Sequence, residues 1–305
     1  MNIFQPMLAA PLLPPSVEHT DGNILEAMSK LKYPVMATVK MDGIRALVLD
    51  MPCGKSLVSR RLKLIPREDL QRNAMIIPIG FDMEIWYPET EFCDITSAVM
   101  SEYPENPCNL EFHVLDWFMD APYNDRMSAL FDYFLVSNLS WLKCEQPVTC
   151  YNHKQLFAFE KRIIETGEGI CFRAPDSPYK QGRSTLKEQY LVKLARFVYS
   201  EVKVINFIEK MHNLCPEKRD GTGHMNRSTS KDFDIGAGTL GAFEVEDENG
   251  LRFKIGTGSG LNDNLRDKIW RNQDKYFGKT LRIKSKAHGK KIKPRNPCYA
   301  GFRED

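Results

Sequence analysis

The stretch "VKMDGIR" at residues 39–45 sets two cations, Lys40 and Arg45, around an acid and a glycine. The apolar, β-prone run "YPVMATVK" leads into it and "ALVLD" follows, so the pattern reads as strand, tight turn, strand. A lysine at the mouth of such a turn is either a surface charge or a reactive amine. With an ordinary pKa of about 10.4 the amine is protonated and a poor nucleophile. Burial or nearby cations lower that value and free the lone pair; Arg45, Arg60 and Lys193 supply such cations if the fold gathers them.

Working outward, strands are expected over 35–50, 54–64, 80–87, 110–118, 169–175 and 191–197, and helices over 23–32 (with Asn23 as its cap), 67–75, 124–137 and 153–166. The character then changes. "EVKVINFIEK" (201–210) alternates as a strand, and "CPEKRDGTGHMNRSTSKDFDIGAG" reads as a long polar loop. Two more strands, "LGAFEVED" and "LRFKIGTG", join through the turn "ENG". A helix capped near Asn262 or Asp263 and a basic, strand-like C-terminal stretch complete the chain. Five strands around one helix fit an OB-type barrel. The expected fold is therefore α/β (α+β), with mostly antiparallel sheets and helices in residues 1–198 and an OB-fold β-barrel in 199–305.

The 305 residues suffice for two domains, and a net charge of +2 says little about partners. Charge distribution says more. From Gly278 to Arg303 there are nine Lys or Arg and no acid, which suits contact with a phosphate backbone. The eight cysteines form no C-x-x-C pair; His212, Cys215 and His224 are the nearest approach to a metal set, and free thiols in a reducing compartment are the plainer reading. The N-terminus lacks a basic region and is broken by prolines, and no apolar run approaches membrane-spanning length. The expectation is a cytoplasmic monomer with no membrane partner.

After Lys40 come, in order, "SRR" (59–61), "FDMEIW" (81–86), "FHVLDWF" (112–118), "GEGICFR" (167–173) and "YLVKLAR" (190–196). This ordered series resembles the motifs of the covalent nucleotidyltransferases, which include DNA ligases, RNA ligases and capping enzymes. It is most similar to the short ATP-dependent DNA ligases of bacteriophages; "SPYKQGRSTLKEQYLVKL" and "FKIGTG…LRDKIW" extend the likeness over nearly the whole chain. The resemblance implies an adenylation domain followed by an OB-fold DNA-binding domain, ATP and Mg²⁺ (or Mn²⁺) as substrate and cofactor, and nicked duplex DNA as partner, in the host cytoplasm if phage-encoded.

It also implies roles. Lys40 would attack the α-phosphate of ATP and carry AMP. Thr38 would meet the adenine edge, and Leu115 and Cys171 would flank the base. Arg45 and Arg60 would bind ribose or the 5′-phosphate of the nick, and Lys193 the α-phosphate. Glu84 and Glu168 would serve the metal, with Glu84 also near the ribose. Lys284, Lys286, Lys290, Lys291, Lys293 and Arg295 would contact DNA, and the last four are candidates for the pyrophosphate. Hard oxygen donors suit Mg²⁺, and fixed cations suit a phosphoryl group gaining charge.

Two positions depart from the pattern. The last motif of the first domain usually carries two lysines on one face of a strand, but here it reads Lys193-Leu194-Ala195. Arg196 should face the other way. Leu115 stands where an aromatic is usual, and Leu115 and Phe112 also read as simple strand packing. An RNA ligase or capping-type enzyme, or a nucleic-acid-binding protein with an inactive adenylation domain, are the other readings.

Overall fold

The computed structural model describes the chain apart from residues 1–3, 15, 89, 105–108, 166, 217, 220–224, 227, 229, 259, 287–291 and 304–305. Contacts divide the chain into two units, Met1–Arg196 and Phe197–Asp305.

The first unit holds two five-stranded sheets. One is built from β1 (Ala10–Pro11), β2 (Val35–Lys40), β8 (Val148–Cys150), β9 (Gly169–Arg173) and β10 (Val192–Ala195), in the order β1-β10-β9-β2-β8. The other is built from β3 (Ile44–Met51), β4 (Gly54–Ser59), β5 (Phe81–Trp86), β6 (Glu111–Trp117) and β7 (Leu142–Cys144), in the order β4-β3-β5-β6-β7. Its helices are α1 (Asp21–Ser29), α2 (Glu68–Met75), α3 (Phe92–Met100), α4 (Tyr123–Val136) and α5 (His153–Ile164). Thr20, not Asn23, caps α1: its hydroxyl accepts from the Asn23 N–H, while the Asn23 amide turns back to the Glu18 carbonyl.

Alternation fixes the two faces of the second sheet. Ala46, Val48, Met83, Ile85, Phe112 and Val114 are buried in the main core, with α2, α3 and α4 residues. Arg45, Asp82 and Glu84 stand on the opposite face, since directly paired residues share a face and Arg45 pairs with Glu84. The first sheet packs Val35, Ala37, Ile170, Phe172, Val192 and Leu194 against α1 and α5, leaving Thr38, Lys40, Cys171, Lys193 and Ala195 on its other side.

The second unit is a five-stranded sheet in the order β15-β14-β11-β16-β17, with strands β11 (Phe197–Asn213), β14 (Asp234–Glu246), β15 (Arg252–Ile255), β16 (Thr280–Lys286) and β17 (Arg295–Phe302). All its neighbouring pairs are antiparallel, and it curls round a core of Val204, Phe243, Ile255, Ile269 and Ile283. Helices α6 (Asp263–Arg271), capped by Asn262, and α7 (Gln273–Tyr276) lie between β15 and β16. The fold is OB-like, but among the described residues no continuous ladder joins β15 to β17, so the expected barrel is not closed. The long polar segment is also more ordered than expected. It contains the short pair β12 (Lys218–Arg219) and β13 (Met225–Asn226), and "DIGAG" already belongs to β14. Among the described residues no helix is long and apolar enough to cross a membrane.

Candidate active site

The turn between β2 and β3 carries the reading of the sequence into three dimensions. Gly43 is required there because a side chain would overlap the Ile85 carbonyl of β5. Its N–H donates to Glu84 Oε1 at 3.2 Å, so the tight turn itself orients that carboxylate. Lys40 ends β2, two residues beyond Thr38, and pairs with Gly169 across the ladder. Gly169 in turn pairs with Ala195, and a side chain at 169 would overlap the Leu194 carbonyl. Lys40 and Ala195 thus lie in one row, about 10 Å apart across two strand spacings, with no side chain between them.

The Lys40 ammonium bonds directly to Glu168, which is 5 % exposed. This corrects the expectation that the amine sits among fused cations. Burial works to lower its pKa, but Glu168, aided by Cys171 and Glu84, outweighs it, and the amine is held above its ordinary value. The ligand-free lysine is therefore charged and not yet a nucleophile. Lys193 behaves oppositely: burial, then the nearby Lys40 charge, pushes it down. Burial lifts Glu84 to about 7 against the pull of Lys40 and Arg45.

The remaining expected residues divide. Thr38 pairs with Cys171 and its hydroxyl reaches the Cys171 carbonyl at 3.5 Å; Lys193 pairs with Cys171 from the other side. Burial pushes the Cys171 thiol up. Arg45 is committed to Asp82 through two bonds of 2.8 and 2.5 Å and to the Met7 carbonyl at 2.6 Å, with Tyr179 donating to the same carboxylate. That pairing outweighs burial and holds the guanidinium firmly charged. Arg60 is exposed in the turn after β4 and makes no ion pair with a described residue, so it is not gathered with the others. Leu115 is the extra residue of a β-bulge, because Asp82 pairs with Asp116 while Met83 pairs with Val114; Phe112 is core. Arg196 faces away, bonded to Glu160 at 2.7 and 2.8 Å and to Asp21 at 2.6 Å, and cannot replace a cation at 195.

Sequence reasoning missed a buried network beneath the cleft. Asp116 of β6 accepts from Arg126 of α4 at 2.7 and 3.1 Å and from Arg173 of β9. The Arg126 side chain is fully buried and also donates to the Ala121 and Ser177 carbonyls at 2.5 and 2.9 Å. The Arg173 guanidinium lies over the Tyr123 ring, 4.2 Å from its centroid. Asp82 was also missed, although period two in "FDMEIW" puts it on the face of Glu84; the same spacing in "CFR" puts Arg173 beside Cys171.

In the second unit, Lys286 pairs with Phe197 and Arg295, and Arg282 lies 4.7 Å over the Tyr199 ring. Lys284 is buried, its ammonium 5.5 Å from the Phe197 ring centroid, so it does not offer the exposed cation expected of it. Lys293 is exposed and Arg295 half-buried. Lys290, Lys291, Cys108 and His224 lie outside the described residues.

No group of three or more His, Cys, Asp or Glu among the described residues could hold a metal by itself. Glu84 and Glu168 still fit a divalent ion that takes most of its oxygens from substrate and water, as Mg²⁺ does, since both are carboxylates lining the cleft near Lys40.

Residues 236–303 match the family model described as the DNA ligase OB-like domain. The crystal structure of Chlorella virus DNA ligase-adenylate is 29% identical over 99% of each chain, with a TM-score of 0.53. A structure of Lig E DNA ligases is 20% identical over 99% of this chain and 100% of that one, with a TM-score of 0.67, and shows the shared fold. The search of curated proteins returned no match. In fold and in these matches the chain is similar to DNA ligases, with a first unit like their adenylation domain and a second like their OB-like domain. Among these the likeness to a viral DNA ligase runs over nearly the full length of both chains.

The raised Glu84 has a pH consequence. Its carboxylate becomes charged only as pH rises through about 7, and Lys40, held above its ordinary value, loses its proton higher still. Should Lys40 take up AMP, as proposed below, the rate of attachment should climb by about tenfold from pH 6 to 8, the most a single carboxyl titrating near 7 allows. Glu84→Gln should flatten this lower limb as well as slow the reaction. A wild-type profile that is level across pH 6–8 would contradict the assignment.

Proposed function

We propose that the chain seals nicks in duplex DNA through a covalent Lys40–AMP intermediate. The Lys40 ammonium first gives up one proton to free its lone pair; Nζ then attacks the α-phosphorus of ATP, the P–N bond forms, the bond to the pyrophosphate oxygen breaks, and a second proton leaves the nitrogen. A 5′-phosphate oxygen at the nick then takes the AMP and frees Lys40. The 3′-hydroxyl attacks that activated phosphate, joins the strand and releases AMP. Dividing one condensation into phosphoryl transfers is covalent catalysis, with position and charge supplying the acceleration.

The observation that carries this reading is the convergence on one cleft of Lys40, Glu168, Lys193 and Glu84 from β2, the β9 approach, β10 and β5. Glu168 keeps the resting amine charged. Once the oxygens of Glu168 and Glu84 are engaged elsewhere, burial favours the free amine, and the charge of nearby Lys193 adds to it. A divalent ion bound by Glu84 and Glu168 would supply neutralisation of phosphate charge. Asp82 and the Met7 carbonyl take three of the five N–H donors of Arg45, and the other two would serve ribose or phosphate. In the second unit Lys286, Lys293, Arg295 and Arg282 would follow the DNA backbone, with Phe197 and Tyr199 interleaved.

Incubation with ATP and Mg²⁺ should add the mass of one AMP, mapped to Lys40, and the product should seal nicked DNA in preference to nicked RNA. A protein that gains no AMP would instead be a nucleic-acid-binding protein with an inert first unit. Ala195 gives that second reading its weight. Across the row from Lys40 there is a methyl group where a second cation would meet the phosphates. A charge-assisted contact contributes roughly 1.5–3 kcal/mol. Ala195→Lys should therefore speed AMP attachment by about ten- to a hundredfold; equal rates in the two proteins would show that this chain does not lack the contact.

A further inference from the structure

The seam between β15 and β17 in the second unit is open for a chemical reason. Tyr299 N–H donates across it to the Thr257 carbonyl at 2.7 Å. Donors on one side of a strand recur every second residue, so the next toward the start of β17 would belong to Pro297, which has none. A cavity of about 380 Å³ opens there, a volume within the range of small-ligand pockets.

Its apolar lining is Pro294 and Pro297, with the largely buried Phe253 behind them. Of the charged residues on its walls, Arg252 is taken by Glu246 at 2.6 Å, and Glu244 accepts from the Asn206 amide at 3.3 Å. Lys254 and Lys293 are exposed and make no ion pair with a described residue. Two ammonium groups without an ion pair to a described residue thus line a partly apolar cavity, Lys254 lying opposite Glu244 across the ladder. The adjoining cavity, about 290 Å³, shares Phe253 and Pro294 but is walled by Glu201, Asp247 and Glu248. Glu201 is paired with Arg303 at 2.8 Å, and the carboxylates of Asp247 and Glu248 disfavour a second phosphate.

We propose that this seam is a subsite for a single nucleotide unit, its phosphate between Lys254 and Lys293 and its base against Pro294 and Pro297. A free nucleoside monophosphate and one unpaired residue of a DNA strand present the same chemistry. The subsite is formed within the second unit alone, and it rests on the reading of that unit as a nucleic-acid-binding one. The acids next door limit it to one unit rather than a tract. For an unpaired strand, stacking supplies the sequence tolerance and the lysines the salt dependence.

The test uses the full chain, wild type and Lys254→Glu, with two probes: a labelled oligothymidylate and 5′-AMP. The variant should bind the oligonucleotide about tenfold more weakly or worse, with a salt slope reduced by about 0.7 for the lost phosphate contact. Amide shifts on titrating 5′-AMP, confined to 252–254 and 293–297, would identify free nucleotide as a ligand; oligonucleotide weakening without such shifts would identify an unpaired strand. Equal oligonucleotide affinity in both proteins together with no AMP shifts at these residues overturns the proposal. Lys254→Ala, at an exposed edge position, repeats the comparison without adding an acid. AMP attachment to Lys40 is measured on the same samples. Its absence in the wild type would sink the ligase reading and leave the seam result standing.

Discussion

Lys40→Ala takes up no AMP from ATP and Mg²⁺, seals no nick with ATP, and still joins a nick whose 5′-phosphate has been adenylated beforehand. That is the expected result, and the split between steps is its content. Removing a covalent nucleophile costs on the order of 10⁶ in rate. The last step uses an activated phosphate and a 3′-hydroxyl, neither of which needs the lysine amine. Lys40→Arg refines the experiment. A guanidinium can keep the pairing with Glu168 yet stays protonated at any workable pH, so it should be as inert as alanine in the first step. Adenylation that persists in Lys40→Ala, on any residue, would remove the mechanism.

The second large effect concerns stability. Asp116 is 1 % exposed and is the carboxylate between two buried guanidinium groups, Arg126 and Arg173. The cluster carries one negative and two positive charges before Tyr123 and the surrounding carbonyls are considered. Deleting the anion leaves two cations facing each other out of water. Breaking a buried pair in this way costs about 3–5 kcal/mol. Asp116→Ala should therefore lower the melting temperature by roughly 10 °C, given about 2–4 °C per kcal/mol for a unit this size. Arg173→Met should cost clearly less, because it leaves Asp116 and Arg126 as a balanced pair. Scanning calorimetry of both variants decides the matter; equal losses would mean that charge balance is not what holds this region.

Much of this was legible in the chain itself. The turn around Asp42 and Gly43, the strands carrying Glu84, Cys171 and Lys193, and helices α2, α4 and α5 follow from alternation, apolar period and punctuation. Helix α3 escaped because "FCDITSAVM" mixes β-branched and small residues, with no charged face to mark a helical period. Strands β7 and β8 are three residues each, too short to show alternation. The cleft was harder. A cation-rich motif suggested that Lys40 would lie among positive charges, yet its nearest partner is Glu168, 128 positions away. Asp116 and Arg173 lie 57 positions apart, and no local pattern announces that they meet. At the seam of the open barrel β17 carries a proline that can donate no bond, visible in the sequence but meaningful only once its strand direction is known.

The two sheets of the first unit are fastened together at the back of the cleft: Asp116 on one holds Arg173 on the other. Were the proposed nucleotide to enter between them, that tie would leave little wall to rearrange. Calorimetry should then register base insertion as a modest heat-capacity change set by the ligand's own desolvation. Discrimination between purines would come from the width of the slot, and loosening that rivet should blur the choice of base before it slows the chemistry.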